Sequence, residues 1–144
     1  MEIEEIARVV DCGYRVHTEL GPGLLESVYE VVLAKLLTDC GLCLERQKQV
    51  PITFSGLRFD EGFRADLLVE GKLLVEIKYV EYLAPVHGKQ LLTYLRLINL
   101  PLGLLMNFGA AIFKNGIKRV ANNHSDFASS RLRVHQGLIE DVDR

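Results

Sequence analysis

The chain has 144 residues, 49% hydrophobic and 25% charged, with a formal net charge of −2, a composition that fits one globular domain with its own core and excludes disordered and fibrous chains. No apolar run approaches the ~20 residues a membrane helix needs, and the acidic start Met1-Glu2-Ile3-Glu4-Glu5 lacks the basic region of a secretory leader. Three cysteines, Cys12, Cys40 and Cys43, are too few and odd in number for a disulfide framework, so the expected setting is the reducing cytoplasm, away from membranes.

Ile3, Ile6, Val10, Gly13, His17 and Leu20 recur at helical spacing and predict a helix over 3–20 with that stripe inward. Gly21-Pro22-Gly23 ends it. A second helix is predicted over 24–40, stopping near Gly41. Three β segments follow near 43–54, 62–69 and 73–80, bounded by Ser55-Gly56, Asp60-Glu61-Gly62 and Glu70-Gly71-Lys72. Pro85 opens a third helix over 86–98, Pro101 marks its end, and Leu102–Phe108 reads as a buried strand. Ile112–Phe113 and Ile117–Val120 around Lys114-Asn115-Gly116 read as a closing hairpin. From Asn122 the sequence turns polar and mixed in charge, which predicts a mobile tail with a short helix at its end. The order ααβββαβ with a closing hairpin predicts an α/β domain over 1–121, a mixed sheet with helices packed on its faces, followed by the tail over 122–144.

Charge is unevenly placed. Residues 1–81 carry 9 basic and 15 acidic side chains, whereas residues 82–125 carry Lys89, Arg96, Lys114, Lys118 and Arg119 and no acid. A local positive field and a chance cluster of solvated side chains both fit that distribution.

The stretch FRADLLVEGKLLVEIKYV, residues 63–80, carries the most chemistry. A three-residue turn at 70–72 puts Ala65, Leu67 and Val69 on one face with Leu73, Val75 and Ile77, and sets Asp66 opposite Glu76 with Lys78 two residues on. A two-residue turn would set Asp66 against Val75 and spoil the apolar face. Facing carboxylates repel, and a divalent cation is a natural compensator because Mg²⁺ and Mn²⁺ favour hard oxygen ligands. Lys78 beside them is placed to orient or deprotonate water, or to stabilise charge on a phosphorane-like transition state. The bland alternative is an exposed polar face with ordinary Glu/Lys alternation; Leu68 and Leu74 on that face argue for burial.

In the second helix, Glu26, Tyr29, Leu33, Leu36, Leu37 and Cys40 fall in one sector, which places Glu26 toward the core. A first-turn glutamate aided by the helix dipole is the other reading. In the third helix, His87, Gln90 and Tyr94 form a polar stripe beside Leu91, Leu95 and Ile98, with Lys89 and Arg96 opposite. Gln90 and Tyr94 either hold a phosphate or the lysine, or form an amphipathic boundary row.

Gly23-Leu-Leu-Glu26-Ser-Val-Tyr29 resembles the signature of the GxxExxY family of small bacterial and archaeal proteins. Asp66 followed by Glu76-Ile77-Lys78 is similar to the PD-(D/E)xK nuclease core, to which that family is assigned, and Gln90-x-x-x-Tyr94 resembles the QxxxY motif of the RecB-type branch. The resemblance runs from Ile6 to Val120 and includes the VHTELGPG and GLLMNFG stretches. It implies a restriction-endonuclease-like fold that hydrolyses phosphodiester bonds with Mg²⁺ or Mn²⁺. In that reading Asp66, Glu76 and the Ile77 backbone carbonyl hold the metal, and Lys78 is the catalytic lysine. Glu26 completes or supports the metal site, and Gln90 and Tyr94 support substrate or lysine. The sequence departs from the pattern at Ala65, where the superfamily name has proline, and at Tyr79, where a small residue is expected.

Other signals are weaker. Cys40-Gly-Leu-Cys43 has no second pair for zinc and leaves a helix rather than opening one, so small buried hydrophobes are expected there. His17 reads as a satisfied core histidine, and Gly21-Pro-Gly23 lacks the lysine of a phosphate loop. The expected function is a metal-dependent nuclease, acting on DNA in preference to RNA. Its rivals are a catalytically silent nucleic-acid- or protein-binding module on the same fold and a structural homo-oligomer. A small acidic chain has few phosphate contacts to offer, which leaves room for a homodimer or a helper protein.

Overall fold

Residues 1–123 are described by the computed structural model. Glu2 starts the first helix, α1 (Ile3–Leu20): its N–H donates to Glu5 Oε1 at 3.1 Å, satisfying a group the helix cannot. Gly21, at φ 74°, ends it. The buried side of α1 is Val9, Cys12, Gly13 and Val16, rotated from the predicted stripe, and Ile3 is 80% exposed. The reason is local. A Cβ on Gly13 would stand 2.7 Å from the Phe113 ring and 2.9 Å from Met106 Sδ, so α1 docks through its smallest residue. His17 matches its expectation, bonding the Ala110 carbonyl at 2.7 Å.

The remaining elements are α2 (Glu26–Asp39), β1 (Leu44–Phe54), β2 (Leu57–Val69), β3 (Leu73–Lys78), α3 (Pro85–Ile98), β4 (Leu102–Asn107), α4 (Phe113–Gly116) and β5 (Ile117–Ala121). The five strands form one mixed sheet in the order β1-β2-β3-β4-β5. Only β3 and β4 are parallel, and α3 makes the crossover between them. The near-continuous apolar runs of β3 and β4 follow from burial on both faces. Leu73, Val75, Ile77, Leu104 and Met106 pack with α1 and α2, whereas Leu74 and Leu105 pack with Leu91, Leu92 and Leu95 of α3.

Several boundaries differ from expectation. Asp60-Glu61-Gly62 is no break: β2 begins at Leu57, and its pairing with β1 runs on to Phe54↔Leu57. The ladder is nevertheless irregular there: between Val50↔Phe63 and Ile52↔Phe59, Asp60-Glu61-Gly62 bulge opposite Pro51, which has no N–H to give the ladder. The closing hairpin is absent among the described residues. Residues 113–116 form a helical turn, and Ile117–Ala121 pair antiparallel with β4. Phe113, 3% exposed, is drawn beneath α1 while Ile112 stays outside. Asn122, expected to open the tail, is buried, and its amide donates to the Leu100 carbonyl at 3.2 Å. The rest of the expected tail, residues 124–144, lies outside the described residues.

The cysteines differ too. Cys40 and Cys43 are exposed, and only Cys12 is buried, its Sγ 3.8 Å from that of Cys40.

β2 also breaks simple alternation. Leu67 and Val69 pack with the α1/α2 layer, but Phe63 and Ala65 pack with the α3 layer, so Ala65 does not share a face with Leu67 as its parity predicts. β1 changes faces in step: Leu44 borders the first cluster and Val50 belongs to the second. Both strands turn over between these positions, near Gln47 and Asp66; Gln47 does so with a left-handed φ of 50°, whereas Asp66 stays outside that region.

Gly109 fixes how the chain leaves β4. A Cβ there would lie 2.5 Å from the Val80 carbonyl oxygen, just past the end of β3. Gly109→Ala is expected to lower stability by ~1–3 kcal/mol, read as a lower urea midpoint at unchanged slope; an unshifted midpoint would show that the backbone yields there.

Candidate active site

Past Leu67↔Val75 the β2–β3 ladder ends, and the next residues, Asp66 and Glu76, face each other where the strands part. Their side chains replace the missing backbone bonds. The Asp66 N–H donates to Glu76 Oε2 at 2.9 Å, and the Ile77 N–H donates to Asp66 Oδ2 at 2.8 Å. The two acids therefore meet across the fork, in the register that alternation and the 70–72 turn predict. Glu76 is 6% exposed and Asp66 half-buried.

Burial pushes the Glu76 carboxyl up to about 8, and the charge of Asp66 adds to the rise. Burial also raises Asp66; the Ile77 N–H offsets part of that, and the charge of Glu30 adds to it. The pair is thus ill-suited to two bare negative charges, the condition a cation relieves. Both carboxylates offer hard oxygens that suit Mg²⁺ or Mn²⁺. Among the described residues no three His, Cys, Asp or Glu side chains converge as a metal-holding group, so the donors present are the two acids and nearby backbone.

Lys78 is half-buried at the end of β3, on the same side of the strand as Glu76. Its charge lowers the Glu76 pKa and, after burial, that of His87, so it is felt both at the acids and at the start of α3. Tyr94 lies on α3 with its ring stacked on Phe63 at 4.0 Å. Burial raises its phenol, and the charges of Glu76 and Asp66 add to that, so it borders the same site. Gln90 is exposed on α3.

Glu26 is the exception among the acids. It is exposed at the first turn of α2, not turned to the core, although its charge still reaches Asp66. The core-facing acid of α2 is Glu30, 5% exposed, which sequence reasoning missed. It accepts from Arg46 Nη2 at 2.9 Å and from Gln47 Nε2 at 2.6 Å. Gln47 Nε2 also reaches Asp66 Oδ1 at 3.3 Å. No periodicity signals these residues: α2 is apolar on most sides, and Gln47 sits in an unbroken polar run from Glu45 to Gln49.

The loop before α2 sets where its acids stand. Tyr29 donates to the Gly21 carbonyl at 2.7 Å and accepts from the Leu24 N–H, while the Gly23 N–H donates to Tyr79 Oη. Tyr79 stacks on Tyr29 with ring centroids 5.5 Å apart. Its ring packs against the α1/α2 core, away from Glu76 and Lys78. Gly23 and Tyr29 thus anchor the helix start, a structural duty.

The family model described as the PD-(D/E)XK nuclease superfamily matches residues 4–120. The solved crystal structure of SSO0001 is similar at 19% sequence identity, covering 92% of this chain and 74% of its own, with a TM-score of 0.49. No curated protein matches the sequence.

Proposed function

Because this chain belongs to the PD-(D/E)XK nuclease superfamily, we propose that it is a Mg²⁺- or Mn²⁺-dependent nuclease that hydrolyses phosphodiester bonds, with DNA preferred to RNA. The observation that carries the reading is the meeting of Asp66 and Glu76 across the β2–β3 fork beside Lys78. Asp66 and Glu76 hold the ion. The Ile77 carbonyl joins them, because in an extended strand a residue's N–H and C=O point to the same side and the Ile77 N–H already points into the fork. An ion held there would polarise the phosphate and lower the pKa of its bound water.

Lys78 supplies the positive charge that the phosphorane-like transition state requires. Its half-buried position strengthens that interaction relative to water. Tyr94, fixed by stacking on Phe63, offers a hydroxyl at the border of the site. Glu26 stands at the exposed rim, where it supports the ion or its water shell. Gln90, one turn before Tyr94, faces solvent and fits a phosphate contact. The resemblance of Gly23, Glu26 and Tyr29 to the GxxExxY signature supports assigning the chain to that branch. With few basic groups near the acids, substrate affinity rests on a homodimer or a helper protein. Among the described residues no helix is long and apolar enough to cross a membrane.

The test is a calorimetric Mn²⁺ titration of the wild type and Asp66→Ala, paired with incubation of single- and double-stranded DNA and RNA with and without Mn²⁺. Metal binding in the wild type alone, with cutting only when Mn²⁺ is present, is the expected result. Equal binding by both proteins removes the proposed metal site. Substrates shifted but uncut would mark a silent binding module.

A further inference from the structure

The geometry assigns Gln47 as a positioning residue that holds the Asp66 carboxylate toward the β2–β3 fork, with Glu30 as its fixed anchor; this rests on the metal-site reading above. Gln47 lies between the paired positions Arg46↔Leu67 and Lys48↔Ala65, opposite Asp66. Its Nε2 donates to Glu30 Oε1 at 2.6 Å and to Asp66 Oδ1 at 3.3 Å. Ionised carboxylates only accept hydrogen bonds, so the amide nitrogen, with its two hydrogens, is the one end of the side chain that serves both. The other oxygen of Glu30 is held by Arg46 at 2.9 Å. Glu30 is therefore a clamped acceptor rather than a candidate ligand, and it fixes the amide in turn.

The backbone points the same way. Gln47 has φ 50° within a β-strand, a conformation that non-glycine residues adopt rarely and that surrounding structure must enforce. Relaxing it would return Gln47 to ordinary alternation and turn its side chain away from the Glu30–Asp66 pair. The consequence lies at Asp66, whose other oxygen accepts the Ile77 N–H at 2.8 Å. One oxygen on Gln47 and the other on Ile77 leave the carboxylate a single orientation, facing Glu76. Groups that orient a metal-holding carboxylate in this way affect metal affinity strongly.

Gln47→Asn separates this role from a merely structural one. Asparagine suits the left-handed backbone better than glutamine does, but its amide is one methylene too short to span both acids. The expected result is an unchanged or higher thermal midpoint, Mn²⁺ affinity lower by about 10-fold or more, and faster hydrogen exchange at the Ile77 amide. Gln47→Gly, which relaxes the backbone and removes the side chain, is expected to do the same and serves if the asparagine variant does not fold. Unchanged Mn²⁺ affinity with an unchanged Ile77 amide overturns the proposal, as does a loss of affinity that merely tracks a loss of stability. A wild type that binds no Mn²⁺ defeats the nuclease reading instead; the Ile77 amide then decides separately whether Gln47 positions Asp66.

Discussion

Lys78→Met is expected to lower Mn²⁺-dependent cleavage by ~10²–10³-fold, the range seen when one transition-state donor is removed, while Mn²⁺ binding stays within about 3-fold. The expectation follows from what Lys78 does not do. Its ammonium makes no hydrogen bond or ion pair among the described residues, although Glu76 lies near enough for the two charges to interact. A half-buried cation that makes no direct bond beside two acids fits the proposed role of meeting charge that arrives later, on the substrate. Lys78→Arg is not expected to rescue the rate, because the planar guanidinium places its charge differently from a compact ammonium. Single-turnover cleavage measured beside a Mn²⁺ titration checks the split. A methionine variant that cuts as fast as the wild type would remove Lys78 from the chemistry.

Glu76 carries the second large effect, on stability. Its carboxyl, pushed up to about 8 from an ordinary value of 4.5, keeps its proton in the fold at pH values where the unfolded chain has released it. The folded state thus binds more protons across that window, so stability is greatest below 4.5 and falls as the pH rises toward 8. Glu76→Gln removes the penalty. Its amide oxygen can still accept the Asp66 N–H, and at pH 8 the metal-free variant is expected to be more stable than the wild type by on the order of 3 kcal/mol. Added Mn²⁺ competes with the proton and should raise the wild-type midpoint most at high pH, leaving Glu76→Gln little changed. Urea unfolding at several pH values, with and without Mn²⁺, supplies the measurement. A wild type whose stability is flat from pH 5 to 8 would show that solvent reaches Glu76 and its burial does not govern its proton.

The two effects oppose each other in a way that suits a catalytic site. A buried carboxylate pair that destabilises the metal-free protein is a liability for folding, yet on the proposed function the same strain would favour a bound cation. The surrounding bonds from Ile77, Asp66 and Gln47 hold the acids in place, so that they do not swing out to solvent.

The sequence by itself determined the element order as far as β4 and the facing of Asp66 and Glu76, because a period of two and a three-residue turn leave one register that sets Leu67 and Val69 beside Leu73 and Val75. It also located the mixed sheet, since apolar runs such as Leu73–Ile77 and Leu102–Met106 demand cover on both sides. Only the tertiary structure decided that Glu30 rather than Glu26 faces inward, because α2 is apolar on nearly every side and periodicity cannot choose among its faces. The same holds for α1, whose docking through Gly13 depends on where Phe113 and Met106 lie, and for residues 112–120, where β4 and not a local turn supplies the partner for β5. Gln47 was beyond reach for a deeper reason. A strand residue forced into the left-handed region leaves no mark in composition, because the force comes from Glu30 and Asp66, 17 and 19 residues away along the chain, and only folding brings them to one side chain.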